Sequence, residues 1–91
     1  PKHPIACVAA FIYNEDGKVL IGWRPADKCW CIPGGKIDWM ETAEDAVVRE
    51  ILEETGLKTE VVKLISFSND LFTKTDRHFT TLIFHLTVRG G

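Results

Sequence analysis

The chain has 91 residues, 45% of them apolar and 26% charged, with a formal net charge of −2. That is one small domain with a single modest core and the composition of an ordinary soluble globular protein. The charge gives no electrostatic basis for capturing duplex nucleic acid or an anionic membrane, no apolar run approaches the ~20 residues that span a bilayer, and the first residues carry no signal-peptide pattern.

Three cysteines, Cys7, Cys29 and Cys31, leave one over from any closed disulfide framework. Reduced thiols suit a reducing setting, so a cytoplasmic location is expected. Cys29-Trp30-Cys31 with His3, His78 or His85 lacks the paired spacing of a zinc site, and buried or idle thiols are expected there instead.

Residues 5–13, IACVAAFIY, form a nearly continuous apolar run, which predicts a strand buried on both faces or nearly so. Asn14 to Gly17 is a turn, with Asp16-Gly17 the hairpin dipeptide, and Lys18 to Trp23 should return as an antiparallel partner of the first strand. Arg24 to Lys28 is a polar connector. Trp30 to Pro33 should be extended, because the residue before a proline avoids the helical region. Gly34-Gly35 is expected to turn the chain, and Lys36 to Glu41 to form a loop or short strand.

A helix should begin at Thr42, a suitable N-cap, with Asp45 resembling the acid of a capping box. Ala43, Ala46, Val47 and Ile51 supply the buried face, with Val48 and Leu52 flanking it. Gly56 suits the left-handed position after the helix, and Leu57 against Leu52 would complete a Schellman ending. Thr59 to Phe67 reads as a strand, Ser68 to Arg77 as a polar loop, His78 to Val88 as the last strand and residues 89–91 as a tail.

The helix ends on three glutamates, Glu50, Glu53 and Glu54. Glu50 neighbours both of the others, and Glu53 and Glu54 sit at the negative end of the helix dipole; together these effects cost roughly 1–2 kcal/mol. A hard divalent cation would offset that repulsion. Magnesium takes oxygen ligands, usually a few carboxylates together with water and phosphate oxygens. The carbonyl of Gly35 could add a backbone ligand, since glycine permits close approach. Arg49 can pair with Asp45 and Glu53 at four-residue spacing and so steer the carboxylates, while Glu41 is placed to act as an outer ligand or to orient Arg49.

Gly35, five residues, Glu41, seven residues and then Arg49-Glu50-Ile51-Leu52-Glu53-Glu54-Thr55-Gly56-Leu57 resemble the box of the Nudix hydrolases at every defined position. Arg24 and the stretch from Pro33 to Thr42 resemble the MutT-type branch, and with the strands the resemblance covers nearly the whole chain. It implies an α+β fold, an α/β/α sandwich with the Nudix helix packed on a mixed sheet. It also implies hydrolysis of a phosphoanhydride in a nucleoside diphosphate linked to another group, with magnesium, or manganese in its place. Gly35, Glu41, Glu50, Glu53 and Glu54 would hold the metal. Glu53, Glu50 and Arg49 would form the catalytic set, with Glu53 or a neighbouring glutamate activating water; Asp70 and Asp76 are the loop acids that could do so instead.

Arg24 and Lys36 match cationic positions of MutT-type enzymes, and His78 resembles a histidine of some nucleoside triphosphate members. Among the aromatic residues Trp30, Trp39, Phe72 and Phe79, exposure suited to stacking on a base is expected of Trp39 or Phe72. No proline and no tyrosine follow the box, which argues against the ADP-ribose and dinucleoside polyphosphate branches. What remains resembles enzymes that cut a nucleoside triphosphate to monophosphate and pyrophosphate. Arg24-Pro25 and the stretch from Trp30 to Gly35 resemble a GDP-mannose group as the alternative. A non-catalytic nucleotide sensor is the alternative of another class, but such members usually lose a box glutamate and none is lost here. The 91 residues are expected to be a single, C-terminally truncated domain without the second, closing helix. The uncovered sheet face would then be apolar, a reason to form a homodimer.

Overall fold

The computed structural model describes residues 2–25 and 28–91, and at residues 23 and 24 the backbone alone. Ile5–Ile12 (β1), Gly22–Arg24 (β2), Cys29–Cys31 (β3) and Gly34–Lys36 (β4) precede the helix Ala43–Thr55 (α1). Lys58–Phe72 (β5) and Arg77–Gly90 (β6) follow it. Four strands form one mixed sheet in the order β4-β1-β6-β5, with β1 parallel to β6 and the other pairs antiparallel. The one helix of the described residues covers one face, packing on β1, β4 and β5. This is the α+β arrangement expected.

Alternate residues of β1, Val8, Ala10 and Ile12, meet Phe84 and Leu86 of β6 and Ala46, Val47 and Ile51 of the helix in the core. Burying Val47 and Ile51 completely contributes about 1.5–3 kcal/mol for each side chain. The opposite face of β1 is less covered than its composition predicts: Ala9 is buried, but Cys7 and Phe11 are half-buried. There Phe11 stacks on Tyr13 at 6.2 Å, and Tyr13 meets His85 edge-on at 5.3 Å. No second helix lies over that face among the described residues, and none is long and apolar enough to cross a membrane.

The first hairpin differs from expectation. Its turn forms: the Asn14 side-chain oxygen accepts from the Asp16 and Lys18 amides at 2.9 Å, and Gly17 takes φ +77°. Pairing then stops at a bridge between Tyr13 and Val19 and a bond from the Leu20 amide to the Ile12 carbonyl. Further pairing is blocked because β4 lies along one edge of β1 and β6 along the other. Residues 22–24 pair instead with β3 in a separate two-stranded ribbon.

Gly34 and Gly35 do not turn the chain. They are extended in β4, opposite Ala9 and Val8, and neither takes a positive φ. Their requirement is space. A Cβ on Gly34 would run into the Val8 carbonyl and the Ala9 backbone, and one on Gly35 would overlap the Glu50 carboxylate.

The helix starts as expected, with the Thr42 hydroxyl accepting from the Asp45 amide at 3.1 Å. It ends in a simpler left-handed cap than the Schellman motif: Gly56, at φ +76°, donates to the Leu52 carbonyl at 2.9 Å. The Leu57 amide goes to the Thr55 hydroxyl instead, at 3.1 Å, and Leu57 packs on the core while Leu52 is half-exposed.

The polar loop expected over residues 68–77 is mostly strand. β5 continues to Phe72, a turn takes residues 73–76 with Asp76 at φ +57°, and Arg89 and Gly90 belong to β6 rather than to a tail. Ser68, Asn69 and Asp70 sit in ladder register with Thr81, Thr80 and Phe79, and Thr80 donates to Asn69 at 3.1 Å. There β5 is the edge strand of the four-stranded sheet, and an exposed edge accepts such polar pairs, so composition misreads it as loop. Three register shifts in β5 also break its alternation, leaving Val62, Leu64, Ile65 and Phe67 exposed.

Candidate metal and phosphate site

Arg49 is the hub of the site. Its Nε and Nη2 donate to the two Glu41 oxygens at 2.8 and 3.0 Å, and its Nη1 to Glu50 Oε1 at 2.9 Å and to Glu53 at 3.2 and 3.3 Å. Nη2 also reaches the Lys36 carbonyl at 3.1 Å and lies 3.4 Å from Asp38. One turn of helix separates Arg49 from Glu53, which accounts for that pair. The Asp45 pairing expected at the same spacing is absent among the described residues; the carboxylate that takes its place is Glu41, eight residues back and brought in by the loop. The planar guanidinium fork suits this multiple recognition where a lysine would not.

The loop is itself tightly folded. The Glu41 amide donates to the Asp38 carbonyl at 3.1 Å, and the Asp38 amide returns to Glu41 Oε1 at 3.0 Å. Met40 takes φ +66°, and Trp39 and Met40 point into solvent, Trp39 92% exposed. The Arg49 guanidinium, followed by the Asp38 amide, holds the Glu41 carboxyl down to about 2, and Glu41 and Glu50 hold the arginine well above its ordinary range. Of the two roles open to Glu41, orienting Arg49 is the one these contacts support.

The helix-end glutamates do not converge on one point. Glu50 and Glu53 lie on the Arg49 guanidinium, whereas Glu54 lines a cleft of about 440 Å³ with Thr55, Gly34 and Cys31. Among the described residues no three acidic, histidine or cysteine side chains stand ready as a metal cluster. The donors nevertheless suit a hard cation. All are carboxylate oxygens, and Glu50 Oε2 accepts no hydrogen bond among the described residues. Glycine at position 35 lets that carboxylate lie directly against the β4 backbone, in the space any Cβ would need.

Gly35 and Lys36 also line a larger cleft of about 700 Å³, together with Cys7, Asp70, Phe72, Arg77 and Phe79. Burial pushes the Cys7 thiol up, opposed by Lys36 and reinforced by Asp70 and Glu50, so all three charges act on this part of the cleft. Phe72 and Phe79 meet edge-to-face at 5.9 Å on its wall.

The other expected residues are more dispersed. Trp39 and Phe72 are both exposed as foreseen, but Trp30 is too, and Trp39 does not line this cleft. His78 and Asp76 line a smaller cleft of about 320 Å³ beside Lys2 and His3, and Asp76 pairs with Lys2. The side chain of Arg24 lies outside the described residues. Cys7 and Arg77 are cleft residues that sequence reasoning did not place, and Phe79, weighed there among the stacking aromatics but not expected to be exposed, joins them. Their proximity depends on β1 lying parallel to β6, with Cys7 opposite Thr81, a pairing without local signal.

Fold and site together define an α+β domain in which one acid-ended helix is clasped against a glycine strand at the edge of a cleft lined by both charged and aromatic side chains. The family model for the NUDIX domain matches residues 3–91. A MutT-like protein of Streptomyces ambofaciens is 35% identical over 91 residues, covering 100% of this chain and 56% of that protein. An ADP-ribose pyrophosphatase of Methanocaldococcus jannaschii is 38% identical over 96 residues, covering 98% of this chain and 54% of that enzyme. The crystal structure of a MutT protein from Methanosarcina mazei Go1 superposes with a TM-score of 0.82 at 27% identity, over 100% of this chain and 72% of that one. The chain belongs to the NUDIX domain family. It spans about half the length of the curated relatives it matches.

Proposed function

We propose that the protein is a magnesium-dependent nucleotide pyrophosphohydrolase, cutting a nucleoside triphosphate to monophosphate and pyrophosphate. The observation that carries this reading is the Glu50 carboxylate, fixed through one oxygen by Arg49, accepting no hydrogen bond through the other among the described residues, and seated against Gly35 at the edge of the cleft. Glu50 and Glu53 would hold the metal, with the Gly35 carbonyl as a backbone ligand and manganese able to substitute; Glu54 would join them by turning out of its own cleft. When bound, the ion neutralises charge on the anhydride oxygens during attack by water. Arg49 holds Glu50 and Glu53 in fixed relation, which removes the repulsion between them without consuming the second Glu50 oxygen. Glu53, 58% exposed, accepts the proton of the attacking water. Lys36, exposed at the cleft, pairs with substrate phosphate. Phe72 and Phe79 offer the base an apolar wall.

The M. jannaschii relative supports a second reading at the same site, in which the substrate is a nucleoside diphosphate sugar. Incubation of the protein with magnesium and a panel of triphosphates and nucleotide sugars separates the two, since one releases pyrophosphate and the other a sugar phosphate. Retained binding with no turnover anywhere would replace both by a nucleotide sensor. Glu53→Gln should remove most of the rate while leaving the unfolding transition in place, and undiminished activity in that variant would sink the proton-acceptor role.

A further inference from the structure

Cys29 and Cys31 flank Trp30 on β3, and their sulfurs lie 3.2 Å apart in a part-buried setting. Residues two apart on a strand project from the same face, so the proximity follows from the extended backbone. Two residues of strand put the Cα atoms roughly 6.4–6.8 Å apart. Disulfides accept Cα separations of about 4.4–6.8 Å, with a bond near 2.05 Å. The pair therefore stands at the long edge of disulfide geometry, and a small contraction of β3 brings the sulfurs to bonding distance. Cys7 cannot compete, because it lies on β1 opposite Lys36, in another cleft.

We propose that Cys29 and Cys31 form a reversible dithiol–disulfide site oxidised by low-molecular-weight disulfides. One thiolate attacks a sulfur of the small disulfide, forming a mixed disulfide and expelling one small thiolate. The second cysteine, its proton released to solvent, attacks the protein sulfur of that mixed disulfide and expels the other. Two protein thiols are oxidised, one small disulfide is reduced to two thiols, and no further reagent is needed. The bridge would sit where β3 leads into Gly34, on the cleft wall that Cys31 shares with Glu54 and Thr55.

The chain itself supplies a clean assay. Cleavage after Lys28 and Lys36 releases one peptide, residues 29–36, that contains both cysteines and no other. The native protein is held in oxidised glutathione, alkylated, digested and weighed. The expected peptide is two hydrogens lighter than the dithiol form and resists alkylation at both positions, while Cys7 still alkylates. Dithiothreitol should restore full alkylation. In Cys29→Ser and in Cys31→Ser the remaining cysteine should carry one glutathione and no bridge should form. A wild-type peptide that stays alkylated at both cysteines, or that accumulates glutathione without bridging, would overturn the assignment.

Discussion

Replacing Gly35 with alanine adds one methyl group where β4 faces the helix end. The backbone tolerates it, since Gly35 does not take a positive φ, and alanine stabilises by about 0.4–1 kcal/mol through the unfolded chain. The new Cβ, however, falls on the Glu50 carboxylate, 2.6 Å from Oε1, where carbon and oxygen need well over 3 Å. Glu50 must swing away or distort, and a side chain forced ~30° off its rotamer costs about 0.5–1.5 kcal/mol. The two contributions nearly cancel, so stability should change by about 1 kcal/mol or less, a shift in Tm of at most roughly 4–8 °C. The site cannot compensate in that way. Displacing the carboxylate by ~1 Å should lower turnover about 100-fold. Thermal unfolding, calorimetric magnesium titration and steady-state hydrolysis of the responsive nucleotide, run on the same preparations, separate the two effects. Wild-type affinity and rate in Gly35→Ala would refute the claim that the bare backbone at Gly35 fixes the place of the Glu50 carboxylate. Gly34→Ala is the contrast, because its Cβ meets backbone of β1 that cannot rotate away, so it should lose stability first.

Truncating Ile51 to alanine removes a fully buried side chain from the helix face, at a cost of about 2–5 kcal/mol. The resulting fall in Tm of roughly 10–40 °C would be read by calorimetry, and a change of a degree or two would mean the helix is not anchored there. The Glu41 carboxyl gives a pH prediction: folding lowers it from 4.5 to about 2, so its contribution is complete above 4.5 and disappears as pH falls through 2. The stability gap between wild type and Glu41→Gln in urea titrations should therefore be constant above 4.5 and close on acidification. A gap that widened toward low pH would contradict the clasp on Arg49.

The helix was the most legible part of the chain in sequence. Thr42, the apolar spacing of Ala46, Val47 and Ile51, and Gly56 act through contacts within a few residues, so local pattern states them directly. The run Arg49-Glu50-Ile51-Leu52-Glu53-Glu54 likewise carries its chemistry in its spacing. The glycine pair was located correctly but given the wrong task. A turn is a local event, whereas the need for space under Glu50 and along Val8 arises from elements distant in the chain. The same distinction explains Arg49: its bond to Glu53 is a helical repeat, but its bonds to Glu41 require a loop to close over the helix. Strand partners were the least legible. Which edge of β1 is free, and how far β5 runs before it turns, depend on competition between segments for the same hydrogen bonds. Local backbone preference and helical period therefore determined the acidic helix and its ends. Only the tertiary structure decided that Glu41 joins Glu50 and Glu53 on Arg49, which oxygen of Glu50 that pairing leaves unpaired among the described residues, and which residues wall the cleft beside it.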